Sequence, residues 1–169
     1  MAPTSLPLRM YGGPARLEQL PWGEVRDQLV GADVYWVVAS ANRTPHPRPV
    51  WGIWLDDALL LSIGSPVVLR AVRTAPDVAV HVGGATDVVI VTGHADVLDA
   101  GYGDDAADMA RVLAVYDEKY EWDYSIEEYG PLTLVAPREV IAWRSEGWAG
   151  RDGFRRGGRW VFPPVTGAS

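Results

Sequence analysis

Short runs of β-branched and aromatic residues alternate with turn residues along this chain, and the pattern predicts a mainly β protein. VYWVVASA at 34–41 is an apolar run of strand length, rich in the types that suit a pleated, half-buried surface. NRTPHP at 42–47 reads as a proline-bounded turn into a second strand within HPRPVWGIW, 46–54,. Asp56 and Asp57 make the next tight turn, and ALLLSIG at 58–64 is the third strand,. Trp51 and Trp54 are read as sharing one face of the second strand, in the core or at a subunit interface. DVAVHV at 77–82, a turn at Gly83 and Gly84, and TDVVIVTGHADVL at 86–98 give another hairpin, with Gly93 as a candidate bulge,. PLTLVAP and REVIAWRS, spanning 131–145, supply one or two further strands.

Three segments carry helical signals instead. PWGEVRDQLVGAD at 21–33 sets Trp22, Val25 and Leu29 on one face and is suited to plug one end of the core,. Ser65 and Pro66 suit the N-cap and N1 of a crossover helix running to Ala75, where Pro76 stops it,. Val68 and Val72 share one side of that helix, with Arg70 and Arg73 elsewhere. From 104 to 121, Met109, Val112, Leu113, Tyr116 and Tyr120 form an apolar stripe behind an acidic start at Asp104, Asp105 and Asp108,. Residues 1–20 read as a loose N-terminal arm, 21–163 as one domain, 164–169 as a C-terminal tail, and RRGGR at 155–159 as flexible. Hairpins dominate, so a small antiparallel barrel is expected in preference to a parallel doubly wound sheet.

Composition narrows what the barrel can do. At 169 residues and 48% hydrophobic, the chain fills one domain,. Eight tryptophans and seven tyrosines exceed what core filling needs, so some are expected at a pocket or interface,. With no cysteine there is no disulfide, thiolate metal site or cysteine nucleophile, and a cytoplasmic location is favoured,. No apolar run approaches the roughly 18 residues of a membrane span. A net charge of −7 argues against nucleic acid and anionic membranes as partners,. Lys119 is the single lysine among fifteen basic residues. His46, His81 and His94 lack metal-ligand spacing, so no metal is expected, and His46 alone lies beside the candidate site. The glycine pairs at 12–13, 83–84 and 157–158 match neither a dinucleotide fingerprint nor a phosphate loop and read as turns,.

One ordered set of segments resembles a known family. PHPRPVWGIW, LLLSIG, RAVRTAPDVAVHV, VVIVTGHADVL, YDEKYEWDY at 116–124, VIAWRS and RWVF are similar to the FMN-binding split barrels related to pyridoxamine 5′-phosphate oxidase, including their deazaflavin-dependent actinobacterial relatives. The resemblance implies a six-stranded antiparallel split barrel of Greek-key type, working as a homodimer with cofactor sites at the subunit interface. It places Arg48, Pro49, Val50 and Trp51 along the isoalloxazine ring, with His46 beside them, and Ser62, Ile63 and Gly64 at the ring and ribityl phosphate. Ser65, Arg70 and Arg73 are then candidate phosphate groups, and Arg159 and Trp160 match an arginine and tryptophan close to the cofactor.

The chain departs from that family at one point. Where the crossover helix usually carries an arginine and lysine pair that grips the phosphate, this sequence has Val67 and Val68. A helix start still attracts anions through its free amides. The implied function is an oxidoreductase passing a hydride between bound FMN, or the deazaflavin coenzyme F-420, and a small molecule. The competing expectation, from Val67 and Val68, is a binding or sensing barrel for haem or another planar metabolite.

Overall fold

Two tight turns with both central residues at positive φ, Asn42 with Arg43 and Asp56 with Asp57, organise the first three long strands. Such turns match the twist of the strands they join. The computed structural model describes residues 2–9, 17–99, 106–121, 131–145 and 154–163. In chain order the elements are β1 (Thr4–Leu6), β2 (Glu18–Gln19), α1 (Trp22–Gly31), β3 (Tyr35–Ala41), β4 (Thr44–Leu55) and β5 (Ala58–Ser62). Then come α2 (Pro66–Thr74), β6 (Asp77–Gly84), β7 (Asp87–Leu98), α3 (Ala106–Tyr120), β8 (Leu132–Ser145) and β9 (Phe154–Val161).

Six antiparallel strands close on themselves in the order β8-β5-β4-β3-β6-β7, with β7 returning to β8. Closure depends on the length of β8. Leu132–Val135 pair with β5 on one margin, while the same strand pairs with β7 along its other margin. The register of β7 on β8 slips between Thr92 and Gly93, the expected bulge,. β9 lies outside the ring, pairing with β8, with β1 antiparallel and with β2 parallel. This is the split barrel that the sequence suggests.

Alternating residues fill the barrel: Tyr35, Val37 and Ala39 from β3, Leu59 and Leu61 from β5, Val78, Val80 and Val82 from β6,. α1 closes it with Val25 and Leu29, and α2 with Val68, Ala71 and Val72. Trp22 packs on Trp54, Trp160 and Phe162 with ring centroids 6.1, 5.6 and 5.5 Å away. On the outside, Met109, Val112 and Tyr116 of α3 cover Ile53, Leu60 and Leu132. Among the described residues, no helix is long and apolar enough to cross a membrane.

Several expectations need correction. The turn read at 42–47 is only two residues, and β4 already runs from Thr44 through three prolines. Pro45, Pro47 and Pro49 stand opposite Ser40, Val38 and Trp36. Alternate residues of an antiparallel strand turn their amides to the same side. The intervening residues therefore serve β3, and the missing proline amides fall on the margin that gains a partner only at Trp51, opposite Ser62,. Trp51 and Trp54 do not share a face. Three residues apart in a strand, they point oppositely, and Trp51 is 53% exposed while Trp54 is 7% exposed.

RRGGR is neither flexible nor a turn. It lies in β9, where Arg156 meets Glu24 at 3.1 Å and Arg144 meets the same carboxylate at 2.5 Å. Close approach favours glycine here: a Cβ at Gly157 would lie 3.0 Å from the Ala142 carbonyl oxygen, and one at Gly158 2.5 Å from Cη2 of the buried Trp160 indole. The arm read as loose contributes two short strands, Thr4–Leu6 and Glu18–Gln19, to this edge. Asp104, Asp105, Gly12, Gly13 and the tail at 164–169 lie outside the described residues.

Candidate functional site

The barrel opens where β3 and β4 part. Tyr35 opposite Val50 is their last rung. Continuing that register, in which paired numbers sum to 85, would set Val34 against Trp51 and Asp33 against Gly52. Neither rung forms; Val34 and Trp51 instead line a cleft of about 330 Å³ with Arg48, Pro49 and Val50. Its other wall is Ser62, Gly64 and Ser65, the end of β5 and the entry to α2.

One end of the cleft is the start of α2. Ser65 sits at the N-cap and Pro66 at the first turn, yet the Ser65 side chain makes no capping hydrogen bond. The first bond of the helix runs from Leu69 N–H to the Ser65 carbonyl, 3.0 Å. The amides of Val67 and Val68 belong to the first turn, which has no acceptor within its own helix. Ser65 therefore lines one end of the cleft at the start of α2, and Arg48, whose guanidinium bonds at 2.7 Å to the Pro47 carbonyl, lines the other wall. Val67 is 42% exposed at this helix start, while Val68 is buried in the core.

Behind the fork sits a cluster from α3. Gly52 N–H donates to the Tyr120 hydroxyl at 3.0 Å, and the Gly52 carbonyl accepts from Tyr120 at 2.8 Å and from Lys119 Nζ at 3.0 Å. The Tyr120 hydroxyl also lies 3.0 Å from the Asp33 carbonyl, so its one proton is shared between two acceptors. Lys119 donates to the Tyr35 hydroxyl at 2.9 Å, and Tyr35 in turn donates to the Leu29 carbonyl. Lys119 also lies over the Tyr35 and Tyr120 rings, 4.8 and 5.4 Å from their centroids,. Burial pushes the Lys119 ammonium down to about 8, against the pull of the Asp33 charge,. Burial likewise raises both tyrosines, reinforced at each by Asp33.

The residues singled out in the sequence divide accordingly. Arg48, Pro49, Val50, Trp51, Ser62, Gly64 and Ser65 come together at the cleft. Ile63 is buried in the core, and His46 is half-buried further along β4. Arg73 is held by Asp99 at 2.7 Å, and Arg159 by Glu139. Trp160 is buried against Trp22. Arg70, on α2, does not line the cleft. His81 stacks on Trp36, ring planes 7° apart, and His94 lies 3.9 Å from Asp77. Val34, Lys119 and Tyr120 escaped the sequence reading of the site, although a lone lysine next to the last tyrosine of the α3 stripe was a usable signal.

No protein-family model matches the sequence, and no curated protein does. Solved structures do match in fold. A FAD-binding protein from Mesorhizobium loti is 16% identical, with TM-score 0.57 over 85% of this chain and 96% of its own. A protein assigned as a pyridoxamine 5′-phosphate oxidase from Listeria innocua is 15% identical, with TM-score 0.54 over 70% and 94%. An F-420 reductase is 16% identical, with TM-score 0.51 over 68% and 94%. The fold is thus that of the split barrels related to pyridoxamine 5′-phosphate oxidase.

Proposed function

We propose that this chain is a cytoplasmic oxidoreductase that binds FMN or coenzyme F-420 in the cleft at the β3–β4 fork. The observation that carries the reading is the cleft itself, with an apolar wall, one arginine and a helix start converging on one space. Val34, Val50 and Trp51 suit the faces of a flat ring. Arg48 suits the pyrimidine side, where negative charge arrives on reduction. Ser65 and the first-turn amides of α2 suit the anionic tail. When bound, the tricyclic ring supplies hydride transfer to and from a small molecule; the protein binds, orients and shields it from water.

A homodimer fits the same geometry. About 330 Å³ is near the lower end of ligand pockets,, so one chain is suited to hold only part of the cofactor. Trp36 and Trp51 are 42% and 53% exposed on one face of the β3–β4 pair, with His81 stacked on Trp36. Contiguous exposed aromatics of this kind mark association surfaces.

Val67 and Val68 favour a second reading, a binding or sensing barrel for haem or another planar metabolite. Titration of purified protein with FMN, F-420 and haemin, followed by absorbance and fluorescence, separates the two. Saturable uptake of FMN or F-420 is expected. Binding of haemin alone, or of none of the three, overturns the redox reading.

A further inference from the structure

The unformed rung between Asp33 and Gly52 is filled by side chains, and what fills it lies directly behind the cleft. Even-numbered residues of β4 turn their amides toward β3, and Gly52 is the first of them with no β3 residue to meet. Its amide and carbonyl bond instead to the Tyr120 hydroxyl, which also reaches the Asp33 carbonyl across the gap. A hydroxyl that accepts on one side and donates on the other does the work of a peptide unit. Lys119 completes the join through the Gly52 carbonyl and the Tyr35 hydroxyl. Both sides of the gap adjoin cleft residues: Asp33 precedes Val34, and Gly52 follows Trp51.

We infer that Lys119 and Tyr120 are positioning residues of the cleft, a wedge from α3 that replaces one rung of the β3–β4 ladder and so fixes Val34 and Trp51 apart. The effect on ligand binding rests on the reading of this cleft as the cofactor site; the effect on the backbone does not. Neither side chain lines the cleft. Their influence passes through Gly52 and Asp33. The groups that face Lys119 are Tyr35 from β3, Tyr120 from α3 and the Asp33 charge from the segment before β3.

The test uses Tyr120→Phe, which keeps the ring and removes only the hydroxyl, and Lys119→Met, each alone and combined. Amide exchange at Gly52 is followed by NMR in ligand-free protein, and FMN and F-420 are titrated into every variant. In Tyr120→Phe the Gly52 amide is expected to exchange at least tenfold faster. Whichever cofactor the wild type takes is expected to bind the double variant at least tenfold more weakly. Wild-type affinity is also expected to fall with pH through a transition near 8, where Lys119 loses its proton; Lys119→Met lacks this transition, which mere loss of packing would not remove. Unchanged exchange at Gly52 overturns the wedge. Altered exchange with unchanged cofactor affinity overturns its role in the cleft. A wild type that binds neither cofactor overturns the proposed function instead, while the exchange measurement still decides the wedge.

Discussion

Arg73 reaches from α2 to Asp99, its guanidinium 2.7 Å from the carboxylate, and this contact draws it into a surface ion pair. Arg48, by contrast, stands on the cleft wall. Replacing Arg48 with alanine should weaken FMN or F-420 binding about tenfold or more, since a hydrogen bond to a charged group is worth roughly 1.5–3 kcal/mol. Arg73→Ala should leave affinity within about twofold and cost at most about 1 kcal/mol of stability, as exposed pairs do. Parallel titrations and urea denaturation measure both.

Gly52 has no room for a side chain. A Cβ there would sit 2.6 Å from Leu61 Cδ2, 3.0 Å from Tyr35 Cδ2 and 3.1 Å from the Leu60 carbonyl. Gly52→Ala should destabilise the protein by roughly 1–3 kcal/mol, the usual cost of overpacking. Gly64, which also borders the cleft, has open space at its Cβ position. Gly64→Ala should stay within about 0.5 kcal/mol of wild type, and equal losses in both variants would contradict the packing described here.

The sole lysine gives the protein a legible alkaline response. Lys119 titrates near 8 when folded, against 10.5 ordinarily. Between those values the unfolded chain holds a proton that the folded chain has released, so this group makes stability rise with pH. Tyr35 and Tyr120 are shifted upward. Above about pH 10 the unfolded chain therefore loses their protons first, and stability falls again. Urea midpoints measured from pH 7 to 11 should pass through a maximum near 10. In Lys119→Met the rise should vanish and the fall remain.

Thr133 on β8 is fully buried, and its hydroxyl has no hydrogen-bond partner among the described residues. Valine keeps the shape and removes the unpaired polar group. Thr133→Val should stabilise the fold by about 1 kcal/mol, raising the melting temperature by roughly 2–4 °C. A lower melting temperature would show that the hydroxyl is satisfied after all.

How far the sequence discloses this molecule depends on whether a feature is local. Period-two runs and turn residues reveal β3 through β7 because each strand carries its own pattern, and Gly93 signals its bulge the same way. The prolines of β4 misled because proline ends a strand unless its missing amide faces a free margin, and only the neighbouring strands decide that. RRGGR has the composition of a linker; pairing with β8 along one margin and with the short β1 and β2, far off in sequence, makes it a strand. Arg48, Trp51 and Ser65 were readable as cleft residues because one hairpin and one helix start hold them. Val34 and the Lys119–Tyr120 pair were not, because a rung missing from a ladder belongs to two strands and a helix together.

The alternate prolines of β4 have one more effect. A row of free amides along a strand is a template on which another chain can grow sheet, and here every second donor is absent before Trp51. A molecule that settles against this stretch finds proline carbonyls as acceptors but no matching backbone donors, so it cannot pair with it as a strand does,. The flank that leads to the cleft can thus receive a partner without seeding endless strand-by-strand polymerisation.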